Sequence, residues 1–235
     1  GDIFRVDVDT TGGTIDASGV TIAAGGSTAT LIYSGSAGVD TLTGGVAAET
    51  FLQTAGADSI SGGATGADTL TLAATNFDID GALTGDVATG VVVNLGSANI
   101  DEATVLNQVT RHFGEGSTTL VGGSASFLFT NASAATAGQT NAVVTQSIAG
   151  IENVTGGTGN DYIIGNSSAN VVDGAAGTDY ITLGDGNDTV NIVAGTDGNS
   201  DVMVGGNGTD TLNITTALTA TIDNDTDLVG FENIV

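Results

Sequence analysis

Large apolar side chains recur at every ninth position over two stretches of the chain. From position 156 the sequence divides into rows that read GGTGNDYII, GNSSANVVD, GAAGTDYIT and LGDGNDTVN, then a longer row, IVAGTDGNSDVMV, and GGNGTDTLN. Each eighth place in the regular rows is apolar and lies between β-favouring or polar neighbours: Ile163, Val172, Ile181, Val190 and Leu212. This pattern predicts short strands whose central side chain faces a core.

A second stretch begins at position 35 and follows the same template. Its rows read GSAGVDTLT, GGVAAETFL, QTAGADSIS and GGATGADTLT, the last with one extra residue. The apolar place holds Leu42, Phe51, Ile60 and Leu70. Because two separated stretches share one template, they indicate an internal structural repeat.

The places before each strand predict tight turns. Glycine at the first, second and fourth places allows positive φ and lets backbone carbonyl groups approach one another, which a β-carbon would obstruct. Strand, turn, strand and turn then close one coil, and coils stack at the strand spacing of roughly 4.8 Å. The predicted fold is therefore all-β, a parallel β-roll or β-helix of the solenoid type.

The sixth place of the rows carries the candidate chemistry. Stacking brings the carboxylates of successive coils together with turn carbonyl groups between them, and Ca²⁺ takes six to eight such oxygen ligands in flexible geometry. A metal-free β-helix, in which these side chains form hydrogen-bonded ladders through the turns, is the alternative. The sixth-place residues are Asp161, Asn170, Asp179, Asp188, Asp197 and Asp210 in one stretch, and Asp40, Glu49, Asp58 and Asp68 in the other.

GGTGNDYII and the rows after it resemble the glycine-rich, aspartate-containing nonapeptides of RTX (haemolysin-type) proteins. The resemblance implies a right-handed parallel β-roll with Ca²⁺ between adjacent turns, held by the sixth-place residues and by turn glycines. It pairs Asp161 with Asp179, Asp179 with Asp197, Asn170 with Asp188, Asp188 with Asp210, Asp40 with Asp58, and Glu49 with Asp68. The turn glycines that it selects are Gly157, Gly159, Gly177 and Gly186.

The remaining segments are assigned from their local patterns. Residues 1–34 read as strands of the solenoid, 35–72 as a degenerate repeat block, 73–155 as a β-rich insert, 156–213 as the calcium-binding roll, and 214–235 as strands leading toward a further block. Within the insert, residues 99–113 (NIDEATVLNQVTRHF) predict one short helix. Asn99 can cap it, apolar residues from Ile100 to Phe113 share a face, and Gly114 can end it.

The amino-acid composition limits which partners and metal ligands are possible. The 235 residues carry 27 acidic and 2 basic side chains, a formal charge of −25. Nucleic acid is excluded because the chain has almost no cation to neutralise phosphate. The chain has no cysteine and one histidine, which leaves oxygen as the metal ligand. No apolar run approaches the 18 residues of a membrane span.

The resemblance extends to function. TIDASGVT, before the first block, is similar to segments of bacterial surface-array proteins of the RTX type. We therefore expect a non-enzymatic module of a secreted or cell-surface bacterial protein, in which Ca²⁺ drives extracellular folding and self-association into an S-layer, filament or matrix. An adhesin that recognises a cell-surface glycan or other partner is the alternative, and a polysaccharide-active β-helix enzyme ranks third. The spacing around His112 builds no catalytic triad.

Overall fold

A computed structural model describes residues 3–8, 12–20, 29–36, 38–52, 57–63, 65–72, 86–98, 100–101, 119–120, 123–131, 142–157, 161–192, 201–215 and 228–235. Every helical or strand element among these residues is a β-strand.

The strands fall into three groups along the chain. The first group is β1 (Ile3–Asp7), β2 (Thr14–Asp16), β3 (Thr30–Ser34), β4 (Thr41–Thr43), β5 (Glu49–Leu52), β6 (Ser59–Ser61) and β7 (Thr69–Thr71). The insert contributes β8 (Asp86–Asn94), β9 (Ile100–Asp101), β10 (Thr119–Leu120), β11 (Ser124–Asn131) and β12 (Ala142–Ala149). The last group is β13 (Asn153–Thr155), β14 (Tyr162–Ile164), β15 (Val171–Asp173), β16 (Tyr180–Gly186), β17 (Thr189–Ile192), β18 (Val202–Gly208), β19 (Thr211–Ile214), β20 (Leu228–Val229) and β21 (Asn233–Ile234).

Two long sheets form the two walls of a solenoid. Sheet A has the order β1-β3-β5-β7-β13-β15-β17-β19-β21, and each neighbouring pair in it is parallel. Sheet B has the order β2-β4-β6-β12-β11-β8-β14-β16-β18-β20, and it is parallel except where β11 pairs with β12 and β8. The predicted all-β parallel roll is confirmed.

The repeat period sets the register of the sheets. In sheet A Val154 pairs with Val172, and Val172 pairs with Val190. Each of these coils therefore consists of two nine-residue rows. The predicted inward-facing residues are buried in one core, with relative exposures of 0–2%. They are Leu42, Phe51, Ile60, Leu70, Ile163, Val172, Ile181, Val190 and Leu212. The prediction that the eighth place faces the core is therefore confirmed.

The insert joins the two repeat blocks through sheet B. In sheet A the last strand of the first block, β7, pairs directly with β13, and the wall continues without a break. In sheet B three strands of the insert, β12, β11 and β8, lie between β6 and β14. The described coils of both blocks therefore share one pair of sheets.

The predicted helix at 99–113 is wrong where the structure tests it. Ile100 and Asp101 form β9, which pairs antiparallel with β10 at Leu120 and Thr119. The capping residue Asn99 and the rest of the predicted helix lie outside the described residues. A strand partner overrides the local pattern here, because sheet pairing and packing often outweigh the small differences in helix propensity.

Candidate metal centre

Two columns of polar side chains run along the roll, one before each wall. Each member lies two residues before an apolar residue of a strand, and all of these apolar residues except Ile234 are buried. Column A, before sheet A, is Glu49, Asp68, Glu152, Asn170, Asp188, Asp210 and Glu232. Column B, before sheet B, is Asp40, Asp58, Gln146, Asp161, Asp179 and Asp201.

Backbone hydrogen bonds hold successive column members together. The N–H of Asp188 donates to Oδ1 of Asp210 at 2.9 Å, and the N–H of Asn170 donates to Oδ1 of Asp188 at 2.8 Å. In column B the N–H of Asp161 donates to Oδ1 of Asp179 at 2.7 Å. The first block repeats the contact from Asp40 to Asp58 at 2.9 Å and from Glu49 to Asp68 at 2.8 Å. Each of these carboxylates is thereby fixed beside the main chain of the preceding coil.

The columns concentrate buried negative charge. Relative exposure is 2% or less for Asp40, Glu49, Asp58, Asp68, Asp161, Asp179, Asp188 and Asp210. The one cationic side chain in the described part of the chain is Arg5, which is exposed and pairs with Asp7 through Nε and Oδ1 at 2.6 Å. Because a buried charge without a partner is strongly unfavourable, these columns require either protons or an external cation.

The carboxyl groups differ in how fully the protein satisfies them. Gly157 donates its N–H to Oδ2 of Asp161 at 2.8 Å, and the Ser36 hydroxyl donates to Oδ2 of Asp40 at 3.0 Å. Among the described residues, no hydrogen-bond donor reaches Oδ2 of Asp188 or of Asp210, although both atoms are buried. Such oxygens lack a partner that the folded chain itself supplies.

Burial also changes the pKa of two carboxyl groups in column A, those of Asp68 and Asp188. Burial raises the pKa of the Asp68 carboxyl to about 7, and the Glu49 N–H opposes the rise. A side-chain hydrogen bond with Glu49 and the Glu49 and Glu152 charges add to it. Burial also raises the pKa of Asp188, with the Asp210 and Asp185 charges adding to the effect and the Asn170 N–H opposing it.

Glycines in the turns bring carbonyl oxygens next to these carboxylates. A β-carbon on Gly186, whose φ is +145°, would lie 2.6 Å from Oδ1 of Asp188 and 2.7 Å from the carbonyl oxygen of Ser168. A β-carbon on Gly205 would lie 2.6 Å from Oδ2 of Asp210 and would also collide with the carbonyl oxygen of Gly230. The space that glycine leaves is therefore bordered by carboxylate and carbonyl oxygens of adjacent coils.

This donor set fits Ca²⁺. Every candidate ligand is an oxygen, as a hard divalent ion requires, and buried carboxylate oxygens remain without a protein donor. No group of three or more His, Cys, Asp or Glu side chains positioned to hold a metal occurs among the described residues. Backbone carbonyl groups would therefore complete the coordination, which suits the tolerant geometry of Ca²⁺ better than the strict octahedron of Mg²⁺.

The fold and the columns define a class, a parallel β-roll with oxygen-lined turns suited to calcium. Within it, residues 155–190 match the family model of the RTX calcium-binding nonapeptide repeat, in 4 copies. Nonapeptide repeats of the kind matched at residues 155–190 bind Ca²⁺. No match was found among curated protein sequences. Among the described residues, no helix combines the length and the apolar character needed to cross a bilayer.

One predicted pair is corrected by the structure. The N–H of Asp179 donates to Oδ1 of Asp201 at 2.8 Å, so Asp201 takes the place that the row alignment gave to Asp197. Asp197 lies outside the described residues, as does the turn glycine Gly159. The four extra residues of the long row lie before the column position. Asp201 could have been identified as the column member because Met203, two places later, is the apolar residue that pairs with Ile181.

The other predicted residues lie where the repeat places them. Asp188 and Asp210 are neighbours across a longer coil of 22 residues. Gly177 has φ of +149°, and Gly157 acts as a hydrogen-bond donor to Asp161. Sequence analysis missed the column members Gln146, Glu152 and Glu232, although each precedes an apolar residue by two places as the others do.

Proposed function

We propose that the chain is a structural module of a secreted or cell-surface bacterial protein, in which Ca²⁺ drives folding outside the cell. The observation that carries the proposal is the pair of columns of buried carboxylates, which have no cationic side chain beside them in the described part of the chain. Calcium supplies the missing positive charge. Without it, neighbouring carboxylates repel one another and the stacked coils lose stability.

The difference in Ca²⁺ concentration between the cytosol and the outside of the cell would confine calcium-dependent folding to the outside. Each occupied site stabilises the folded state by RT ln(1 + [L]/Kd), about 1.4 kcal/mol at a tenfold excess over Kd. Extracellular modules bind with Kd of roughly 10⁻⁴ to 10⁻³ M. Several such sites would be empty in the cytosol and filled outside, which agrees with folding outside the cell.

Circular dichroism tests this proposal. A β-sheet spectrum should develop as Ca²⁺ rises to millimolar concentration and disappear after addition of EGTA, with Mg²⁺ at equal concentration as the matched control. A spectrum that EGTA leaves unchanged under mild conditions would contradict calcium-driven folding.

Self-association into an S-layer, filament or matrix is the second part of the proposal. A roll whose walls are stacked parallel strands is a stiff rod-like spacer suited to ordered arrays. Electron microscopy of the calcium-loaded protein should show sheets or fibres that EGTA disperses.

An adhesin is the second candidate, and the insert favours it. Strands β8, β11 and β12 form an antiparallel ribbon that interrupts sheet B, whereas sheet A continues past it. An insertion confined to one wall is a natural place for partner recognition. Monodisperse calcium-loaded protein that binds cells or glycans, and loses binding when residues 86–149 are replaced by a short turn, would favour the adhesin over the array.

A further inference from the structure

Two segments outside the matched repeats form equivalent coils. Residues 148–155 read IAGIENVT and residues 228–235 read LVGFENIV. Each contains a glycine with positive φ, +61° at Gly150 and +74° at Gly230. Each segment ends in a short strand of sheet A, β13 in the first case and β21 in the second. Neither has a glycine-rich nonapeptide turn before that strand.

The two coils bind the preceding coil through the same contacts. Oε2 of Glu152 accepts the N–H of Asp68 at 3.0 Å, and Oε2 of Glu232 accepts the N–H of Asp210 at 2.7 Å. The N–H groups of Glu152 and Asn153 donate to the Asp68 carbonyl oxygen at 3.1 and 2.9 Å. Those of Glu232 and Asn233 donate to the Asp210 carbonyl oxygen at 3.1 and 3.0 Å. A glutamate thus occupies the column position in both coils, next to the aspartate of the preceding coil.

Ligand oxygens converge at these contacts. The position that a β-carbon would take on Gly205 is bordered by Oδ2 of Asp210 and the carbonyl oxygen of Gly230, and that on Gly62 by Oδ2 of Asp68 and the carbonyl oxygen of Gly150. Oδ2 of Asp210 is buried and has no hydrogen-bond donor in the described part of the chain. An unpartnered buried carboxylate oxygen beside a carbonyl oxygen points to a bound cation.

We infer that the Ile/Phe-Glu-Asn-Val/Ile coils complete a calcium site at the end of each block, with Glu152 serving the ion beside Asp68 and Glu232 the ion beside Asp210. This inference rests on the proposed calcium-binding function and extends it to coils that lack the nonapeptide. Each site joins the aspartate of the last glycine-rich row, the glycine carbonyl group of the next coil and its glutamate.

On the side of Glu152 away from Asp68, the next member of column A is Asn170. Nδ2 of Asn170 donates to the carbonyl oxygen of Glu152 at 2.7 Å, and Oδ1 of Asn153 accepts the N–H of Val171 at 2.9 Å. Protein hydrogen bonds, and not a pair of carboxylates, therefore join these two coils in column A.

Calcium counting on the full 235-residue chain tests the inference. Glu232→Gln keeps an oxygen that can accept the Asp210 N–H but removes the charge. After equilibrium dialysis at millimolar Ca²⁺ and metal analysis, E232Q and E152Q should each bind one ion fewer than wild type or bind one ion at least tenfold more weakly, and the double variant should lose two. Asp16→Asn, at an exposed carboxylate outside the columns, is the charge-matched control and should bind as wild type.

Thermal melting separates ligation from a structural role. Both glutamine variants should melt at lower temperature than wild type in Ca²⁺, and at the same or higher temperature in EGTA because a repelling charge is gone. Unchanged stoichiometry and affinity in E232Q and E152Q, with an ion lost in D188N, would overturn the inference and leave the proposed function standing. Wild-type protein that binds no Ca²⁺ would instead refute the proposed function.

Discussion

The two repeat blocks share one backbone arrangement but satisfy their buried carboxylates differently. In the first block Asp40 is surrounded by protein donors, since Gly13 donates its N–H to Oδ1 at 2.6 Å and the Ser36 hydroxyl donates to Oδ2 at 3.0 Å. In the second block Asp188 and Asp210 each keep a buried oxygen that no described donor reaches. The repeat template thus fixes where the carboxylates lie, and the turn residues decide how much each one needs calcium.

Within the first block the two columns also differ. In column B, Nε2 of Gln146 donates to Oδ2 of Asp58 at 2.6 Å, so an amide from the insert hydrogen-bonds this carboxylate oxygen. In column A, the buried carboxyl groups of Glu49 and Asp68 lie against each other, and burial together with this contact raises the pKa of Asp68 to about 7. Calcium dependence in this block should therefore lie mainly on the column A side.

Calcium removal should produce the largest difference between the blocks. In EGTA we expect strands β15, β17 and β19 to lose hydrogen-exchange protection entirely, while β4 and β6, beside the self-satisfied Asp40 and Asp58, keep part of theirs. Sites filled to about tenfold over Kd each contribute about 1.4 kcal/mol, so several sites together are comparable to the stability of a whole domain. Hydrogen exchange followed by mass spectrometry measures this. Equal loss of protection in both blocks would remove the proposed distinction.

Core truncations should affect the blocks alike when calcium is present. Leu42 and Leu212 are 1% and 0% exposed in equivalent places, so Leu42→Ala and Leu212→Ala should each destabilise the calcium-loaded protein by about 2–5 kcal/mol. Denaturant unfolding in saturating Ca²⁺ gives both values. A difference of several kcal/mol between them would show that the blocks differ in packing and not only in their turns.

Neutralising one carboxylate in each block should separate their ligand roles. Asp188→Asn should weaken calcium binding at one site by tenfold or more, equivalent to about 1.4 kcal/mol, because it removes charge from an oxygen pair that no turn donor completes. Asp40→Asn should change calcium affinity less, since Gly13 and Ser36 already bond both oxygens. Calorimetric titration of the two variants against wild type measures both effects, and equal losses would place Asp40 among the ligands.

The stability of the calcium-free protein should decrease as the pH rises. The folded-state pKa of Asp68 lies at about 7 and that of Asp188 is raised, both above the 3.8 of an unperturbed Asp. Their protonated forms are therefore favoured by folding, and this contribution is complete below about pH 4 and lost as the pH rises through the folded pKa. Melting in EGTA should occur at higher temperature at pH 5 than at pH 8. In saturating Ca²⁺ the trend should disappear, because metal binding holds the carboxylates ionised.

The smallest expected effect is at Ser36. Ser36→Ala removes the hydroxyl donor to Asp40, but the N–H groups of Gly13 and Ser36 still bond the carboxylate, so the protein in EGTA should be destabilised by only about 0.5–1.5 kcal/mol, the usual net range for one hydrogen bond. Part of that loss should be recovered in Ca²⁺, because Asp40 then resembles the carboxylates of the second block. Melting scans with and without Ca²⁺ provide the comparison, with Ser18→Ala at an exposed turn as control. Identical losses in both conditions would argue against substitution of calcium for the hydroxyl.

The repeat made most of the fold predictable and failed where its period changed. The spacing from column residue to apolar residue located the core correctly, from Leu42 to Leu212. Counting nine residues per row gave the wrong column residue in the long row. Asp201 is identified by its position two residues before the apolar Met203, and not by its distance from the previous Asp. The predicted helix failed at Ile100 because its strand partner, Leu120, is twenty residues away and leaves no local signal.

The sequence by itself determined the parallel roll, its buried apolar column and the all-oxygen chemistry, because each follows from a local template that repeats. Only the tertiary structure decided which coils are neighbours. Asp68 meets Glu152 across 84 residues of sequence, and Asp58 meets Gln146 across 88. The hydrogen bonds that satisfy one carboxylate and leave another to calcium depend on such long-range contacts, so the difference between the two blocks becomes visible only when the coils are stacked.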